Sequence, residues 1–331
     1  MKDPSRMLAR AKVRNARADV RTEAGKMVFD MHVHTRFSDS YSSVRKVIEK
    51  AEKLGIGLAI TDHNEIRGVI RALKIKSDVA IIPGIEVSVK EGPHVLVYFK
   101  TLEGLKDFYV KHIYRKKSKN PHTNTNLHMN ELMRVCKSYD CLSSLAHPYS
   151  MAYAQVPKNI KRGFLDPAFL TDIDAIEAMN GAMSKKSNDN ATLYADDLDK
   201  AITGGSDAHS LFEVGKVVTY AKAKDAADFI DKVKAKQAFV VGKPIGKVKK
   251  IPTIAKTAQK HMRYLIPTLK HGYDEIIIRN TRYHKPIIIG KIKNISANGL
   301  QLIRQPQKIP KIAYKPIKIG FKNGKGSRRK L

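Results

Sequence analysis

Only two cysteines, Cys136 and Cys141, occur in 331 residues. One CxxxxC pair is no disulfide framework, and it reads as two buried thiols in a reducing compartment. No apolar run approaches the ~20 residues that a membrane span requires. The opening stretch, MKDPSRMLARAKVRNARADVRTEAGK, lacks an apolar h-region and does not read as a secretory signal. The expected location is therefore the cytoplasm. Neither a GxGxxG nor a Walker A pattern occurs, so nucleotide-binding folds lose their usual signature. Acidic residues are scarce, 31 against 62 Lys and Arg, and the formal net charge is +31. The excess is uneven. Residues 1–26 hold 8 basic and 3 acidic groups and residues 243–331 hold 23 and 2, which leaves 31 and 26 for residues 27–242. Such a basic segment marks contact with a polyphosphate such as nucleic acid, the alternative being a general lysine-rich bias.

What is present reads as globular, 42% hydrophobic and 28% charged, in a chain long enough for one large α/β domain with an appendage or for two ordinary domains. Residues 27–242 alternate short apolar runs with amphipathic stretches. The runs are Met27–Val33, Gly57–Thr61, Val79–Val87, His94–Phe99, Cys141–Ala146, Ala175–Met179 and Ala201–Ser206. In Ser43–Leu54 the positions Val44, Val47, Ile48, Ala51 and Leu54 fall on one helical face, with Gly55 as C-cap. Further helices are expected at 65–75, 103–117, 128–139, 186–200 and 224–236. Strands spaced by helices imply parallel pairing, and seven such units predict a TIM-like barrel. Lys116–Asn126 reads as a mobile polar loop. Residues 1–26 form a basic N-terminal segment. After Gly242 the chain becomes a Lys/Arg-rich module with a hairpin signal at Asn298–Gly299 and a disordered end. No internal repeat is evident.

Catalytic groups of a βα barrel sit at the C-terminal ends of its strands. The first run ends in Asp30-Met31-His32-Val33-His34, where two imidazoles two residues apart share a face, as a metal requires. The later runs meet Thr61-Asp62-His63-Asn64, Pro83-Gly84-Ile85-Glu86-Val87, His94, Ala146-His147-Pro148 and Gly205-Ser206-Asp207-Ala208-His209. Six of the 12 histidines lie at or beside strand ends, and gathering so many ionisable groups in one mouth without a metal is costly. His and carboxylate donors suit Zn, Mn or Fe.

The ordered set DMHVHT, TDHN, PGIEVS, HVLVYF, AHP and GSDAH, from about Asp30 to Tyr220, resembles the successive motifs of the PHP (polymerase and histidinol phosphatase) superfamily. The resemblance implies a distorted (β/α)7 TIM-like barrel, here with a small basic C-terminal appendage, and a centre of two or three divalent metal ions. It implies that His32, His34, Glu86 and Asp207 hold the first metal, that Glu86, His94 and His147 hold the second, and that Asp39, His63 and His209 hold the third. Asp39 has a polar turn residue as its alternative. Every expected ligand position is filled, unlike the inactivated PHP barrels of some polymerases, although the step from Glu86 to His94 is short. The implied activity is phosphate-ester hydrolysis by hydroxide generated on the metals. Asp62 either orients a ligand imidazole or makes a structural hydrogen bond. Arg36, Arg67 and Lys185 or Lys186 either bind the substrate phosphate or are surface charges. Three functions follow: a nucleotide or nucleic-acid phosphoesterase, a histidinol-phosphate type monophosphatase, or a non-catalytic RNA-binding scaffold.

Overall fold

In a computed structural model, residues 12–14, 25–118, 120, 123–150 and 155–245 are described. Most of the basic N-terminal segment and nearly all of the 243–331 module, including the hairpin expected at Asn298–Gly299, lie outside them.

The described elements are β1 (Val13–Arg14), β2 (Lys26–Val33), α1 (Val44–Leu54), β3 (Gly57–Ile60), α2 (Arg67–Ala72), β4 (Ile81–Ser88), β5 (His94–Phe99), α3 (Leu102–Phe108) with a π-turn at Tyr109–Ile113, and α4 (Met129–Cys136). They continue with β6 (Cys141–Leu145), α5 (Val156–Lys161), α6 (Phe169–Asp172), β7 (Ala175–Asn180), α7 (Lys185–Asp197), β8 (Ala201–Gly205), β9 (Val217–Lys222), α8 (Ala226–Lys234) and β10 (Phe239–Gly242). Local chemistry sets the ends of α1. The Ser43 hydroxyl accepts from the Lys46 N–H, and Gly55 closes the helix at φ +63°, a conformation that costs glycine little. The face predicted for α1 is the one it buries: Val44, Val47, Ile48 and Ala51.

The strands form one curled sheet in the order β1-β10-β9-β2-β3-β4-β5-β6-β7-β8. It closes into a barrel where the end of β2 meets the segment after β8. There the His34 N–H donates to the Ala208 carbonyl at 3.0 Å, and the Ala208 N–H donates to the His32 carbonyl at 3.3 Å. Inside, Phe29, Met31, Ala59, Ile82, Leu96, Tyr98 and Leu142 share a cluster with Phe229, Ile230 and Val233 of α8. That helix touches β4, β5, β6, β8 and β9 and so seals the end of the barrel remote from the histidines.

The expected barrel is present, but uniform parallel pairing is not. β5 runs antiparallel to both β4 and β6, and β9 runs antiparallel to β2. The reason is chain length. Only the five residues Val89–Pro93 separate β4 from β5, which allows a hairpin and leaves no room for a crossover helix. The polar loop expected to be mobile is anchored at its described residues. The Thr125 N–H donates to the Ser88 carbonyl at 2.8 Å, and the Asn64 amide donates to the Thr123 carbonyl at 3.2 Å. Cys136 and Cys141 are buried and unbridged, as expected. No described helix is long and apolar enough to cross a membrane.

Candidate metal centre

All nine residues singled out as ligands converge on one end of the barrel. His32, His34, Asp39, His63, Glu86, His94, His147 and Asp207 are buried, and His209 is nearly so. Because β5 is antiparallel, its first residue lies at the mouth, which is why a strand-initial His94 joins residues from strand ends. Glu86 sits at the centre. Its Oε1 lies 2.9 Å from His94 Nδ1 and 3.1 Å from His147 Nε2, and its Oε2 lies 2.9 Å from His63 Nδ1. Asp39 Oδ2 lies 2.7 Å from His209 Nε2 and 3.5 Å from His63 Nε2, so the β2–α1 loop does deliver this carboxylate to the cluster. His147 and Asp207 carry φ of +27° and +52°, a strained backbone that aims their side chains inward.

The geometry fits cations. His32 Nε2 and His34 Nε2 face each other at 3.1 Å. His32 Nε2 is 3.3 Å from Glu86 Oε2 and 3.6 Å from Asp207 Oδ1, and His34 Nε2 is 3.4 and 3.2 Å from the same two oxygens. Ligand bonds of about 2.0–2.2 Å set tetrahedral donors about 3.3–3.6 Å apart, close to the separations among His32, His34 and Asp207, which form one candidate group. Glu86 Oε2 is buried, and its polar neighbours are the imidazole nitrogens of His63, His32 and His34 at 2.9, 3.3 and 3.4 Å, donors that an ion would share with it. The donors that could share an ion group as His32, His34 and Asp207, as His34, Asp39, His63 and His209, as His63, Glu86 and His94, and as His32, Glu86 and His147.

Burial is the largest influence on His32, His34, Asp39, His63, Glu86, His94, Asp207 and His209, and the neighbours decide which way each shifts. Against that desolvation, His209, His63 and His34 hold Asp39 well below the usual carboxylate range. His63, His32 and His94 do the same for Glu86, and His32 leads for Asp207. The carboxylates in turn raise His32 and His63 well above the ordinary imidazole value and His209 to about 9. Burial prevails at His34 and His94, which fall to about 4. So raised, His32, His63 and His209 favour the protonated form and must shed protons to act as ligands. Metal uptake at pH 7 is expected to release protons, and affinity should weaken on acidification by about tenfold per pH unit for each proton released. Calorimetry of metal binding in buffers of different ionisation enthalpy checks this, and heats independent of the buffer would contradict it.

The other singled-out residues lie outside the cluster. Asp62 touches no imidazole. Its carboxylate accepts from the Thr35 N–H and hydroxyl, both at 2.7 Å, and from the Ser38 hydroxyl at 2.5 Å, and so shapes the loop that carries Asp39. These are the structural hydrogen bonds of one of its two expected roles, and the Ser38 hydroxyl also lies 3.4 Å from His34 Nδ1. Arg36 is exposed on that loop. Arg67 pairs with Glu65 at 2.8 Å and lies over the Phe37 ring at 5.3 Å. Lys185 pairs with Asp189 one turn along α7 at 2.6 Å, and Lys186 is exposed.

Sequence reasoning missed the supports of the cluster. Asp30 accepts from the Ser206 N–H at 2.8 Å, the Ser206 hydroxyl at 2.5 Å and the Gly215 N–H at 2.7 Å, joining β2 to the chain beyond β8. Glu213 accepts from the N–H groups of His209 and Ser210, both at 2.8 Å. Glu177 contacts two of the candidate ligands. The signal for it was a carboxylate inside an apolar strand run, which buries only with partners.

A TIM-like α/β barrel with imidazoles and carboxylates gathered at its mouth is the architecture of a metal-dependent phosphoesterase. Residues 30–242 match the PHP domain, and the chain belongs to that family. It is 26% identical over 168 residues to an uncharacterized protein of Methanocaldococcus jannaschii, spanning 46% of this chain and 82% of that one. It is 25% identical over 230 residues to a probable histidinol-phosphatase of Clostridium acetobutylicum, spanning 57% and 89%. Its fold resembles that of the lesion-specific endonuclease of Pyrococcus furiosus, with a TM-score of 0.50 at 20% identity over 65% of this chain and 57% of that one.

Proposed function

We propose that the chain hydrolyses phosphate esters of nucleotides or nucleic acid, in the cytoplasm, with two or three divalent ions (Zn, Mn or Fe). His32, His34, Glu86 and Asp207 would hold the first ion, Glu86, His94 and His147 the second, and Asp39, His63 and His209 the third. Bound there, the ions supply a water acidic enough to ionise near neutral pH and positive charge opposite the phosphoryl oxygens. Protein groups do the rest. The strands hold the donors in place before binding, and the buried mouth limits competing water. Arg67 at the start of α2, steadied by Glu65 and Phe37, and Arg36 on the β2–α1 loop would meet the phosphate. No side-chain nucleophile is required.

The observation that carries the choice of substrate is the charge distribution. The barrel, residues 27–242, is nearly balanced, whereas residues 243–331 hold 23 basic and 2 acidic groups, a sequence-independent grip on a polyanion. The likeness to a probable histidinol-phosphatase favours a second reading, a small-molecule monophosphatase. The filled ligand set speaks against a non-catalytic RNA scaffold. A panel of mononucleotides, nucleoside 3′,5′-bisphosphates, short RNA and histidinol phosphate separates the first two readings. The nucleic-acid reading expects preference for the nucleotide substrates and, after removal of 243–331, oligonucleotide binding about tenfold or more weaker at low salt. Preference for histidinol phosphate, with truncation leaving oligonucleotide binding and its salt dependence unchanged, would establish the second.

A further inference from the structure

We infer that β7, which contributes no candidate ligand, sets the imidazole tautomer of the metal centre through Glu177, a positioning residue held in place by Asn180; this rests on the proposed role of His32 as a ligand. Glu177 and Asn180 are buried at the end of a strand that is buried throughout. The Glu177 carboxylate reaches two ligands from different strands. Its Oε1 lies 2.8 Å from His32 Nδ1, and its Oε2 accepts the His147 backbone N–H at 2.8 Å and the Asn180 side-chain amide at 2.9 Å. The Asn180 amide also lies 3.3 Å from Asp207 Oδ2, a third candidate ligand.

The orientation of this network is determined by its fixed donors. Asn180 Oδ1 accepts the Ala182 N–H at 2.7 Å, so its NH2 must face Glu177 and Asp207. The Asn180 backbone is clasped by the Asn188 side chain of α7, through N–H to Oδ1 at 3.1 Å and Nδ2 to the carbonyl at 3.0 Å. Two donors therefore converge on Glu177 Oε2, leaving Oε1 as acceptor for His32 Nδ1–H. With its proton on Nδ1, His32 presents the Nε2 lone pair toward the donor atoms of His34, Glu86 and Asp207, 3.1, 3.3 and 3.6 Å away. A carboxylate behind a ligand histidine fixes its tautomer and strengthens it as a donor.

A buried carboxylate could instead serve only to join β2, β6 and β7, and the two roles diverge in Glu177→Gln. The glutamine oxygen must turn toward the two fixed donors, because an NH2 there would oppose them. Its NH2 then faces His32 Nδ1, which must accept, moving the proton to Nε2 and withdrawing the lone pair from the metal. Zinc binding to E177Q, followed by calorimetry and metal analysis, is expected to be about 10- to 100-fold weaker than to wild type at one site, with the other sites retained. Unchanged affinity and stoichiometry would overturn the inference. Nitrogen-15 NMR of histidine-labelled, zinc-loaded wild type decides independently of how the variant folds. His32 protonated at Nδ1 supports it, and His32 protonated at Nε2 overturns it. Failure of wild type to bind zinc or manganese would instead sink the metal-centre reading beneath it.

Discussion

Replacing His32 and His34 together with alanine is expected to lower metal-dependent phosphate release at least about 10³-fold, at or near the background rate. The two imidazoles supply two of the three donors in the group that they form with Asp207. His34 also lies 3.7 Å from Asp39 through its Nδ1, so the loss reaches the group that contains His63 and His209. Metal content should fall by at least one equivalent per chain. Folding should survive, because both side chains sit at the mouth and not in the apolar cluster sealed by α8. Measuring the rate and bound metal on the same preparation checks both parts. A folded double variant with wild-type rate would place the chemistry elsewhere.

Gly205→Ala is expected to cost more than about 3 kcal/mol of stability. The methyl group would lie 2.4 Å from the His32 nitrogen, 2.5 Å from its Cβ and 2.9 Å from its Cα, and two of these are backbone atoms that cannot rotate away. β8 and β2 approach each other there to close the barrel, so relief requires the strands to part. The displacement falls on His32 itself, so metal affinity should drop with stability. Thermal or urea unfolding of the metal-free protein measures the first effect, and a midpoint matching wild type would show that the closure is looser than described.

The candidate cluster was legible in the sequence because its histidines and Glu86 stand in or close to apolar runs that read as strands, whereas Asp39 lies on a polar loop. α1 was legible for a similar reason, with Ser43, a four-residue apolar face and Gly55 all giving one local answer. The direction of β5 was not, since the alternation of His94–Phe99 is the same whichever way a strand runs. Its orientation follows from the short Val89–Pro93 link, which the step from Glu86 to His94 hinted at. β9 and β10 escaped notice because their pairing is remote: Phe29 faces Thr219, and Val218 faces Val241. Asp62 was left between two roles by the sequence. Its position next to His63 suggested a partnership, yet its backbone context turns the carboxylate toward Thr35 and Ser38. Glu177 and Asn180 lay inside a recognised motif, but their roles depend on contacts with β2, the end of β6 and the end of β8, which no spacing within β7 reveals.

The most direct test of the central claim is hydrolysis of the phosphate-ester panel by one preparation in three states: metal-loaded, stripped by a chelator and reloaded. Release of phosphate or mononucleotides in the loaded state, loss on stripping and recovery on reloading with Zn, Mn or Fe is the predicted result. No hydrolysis of any substrate by the loaded protein, or hydrolysis that persists after the metal is removed, would contradict it.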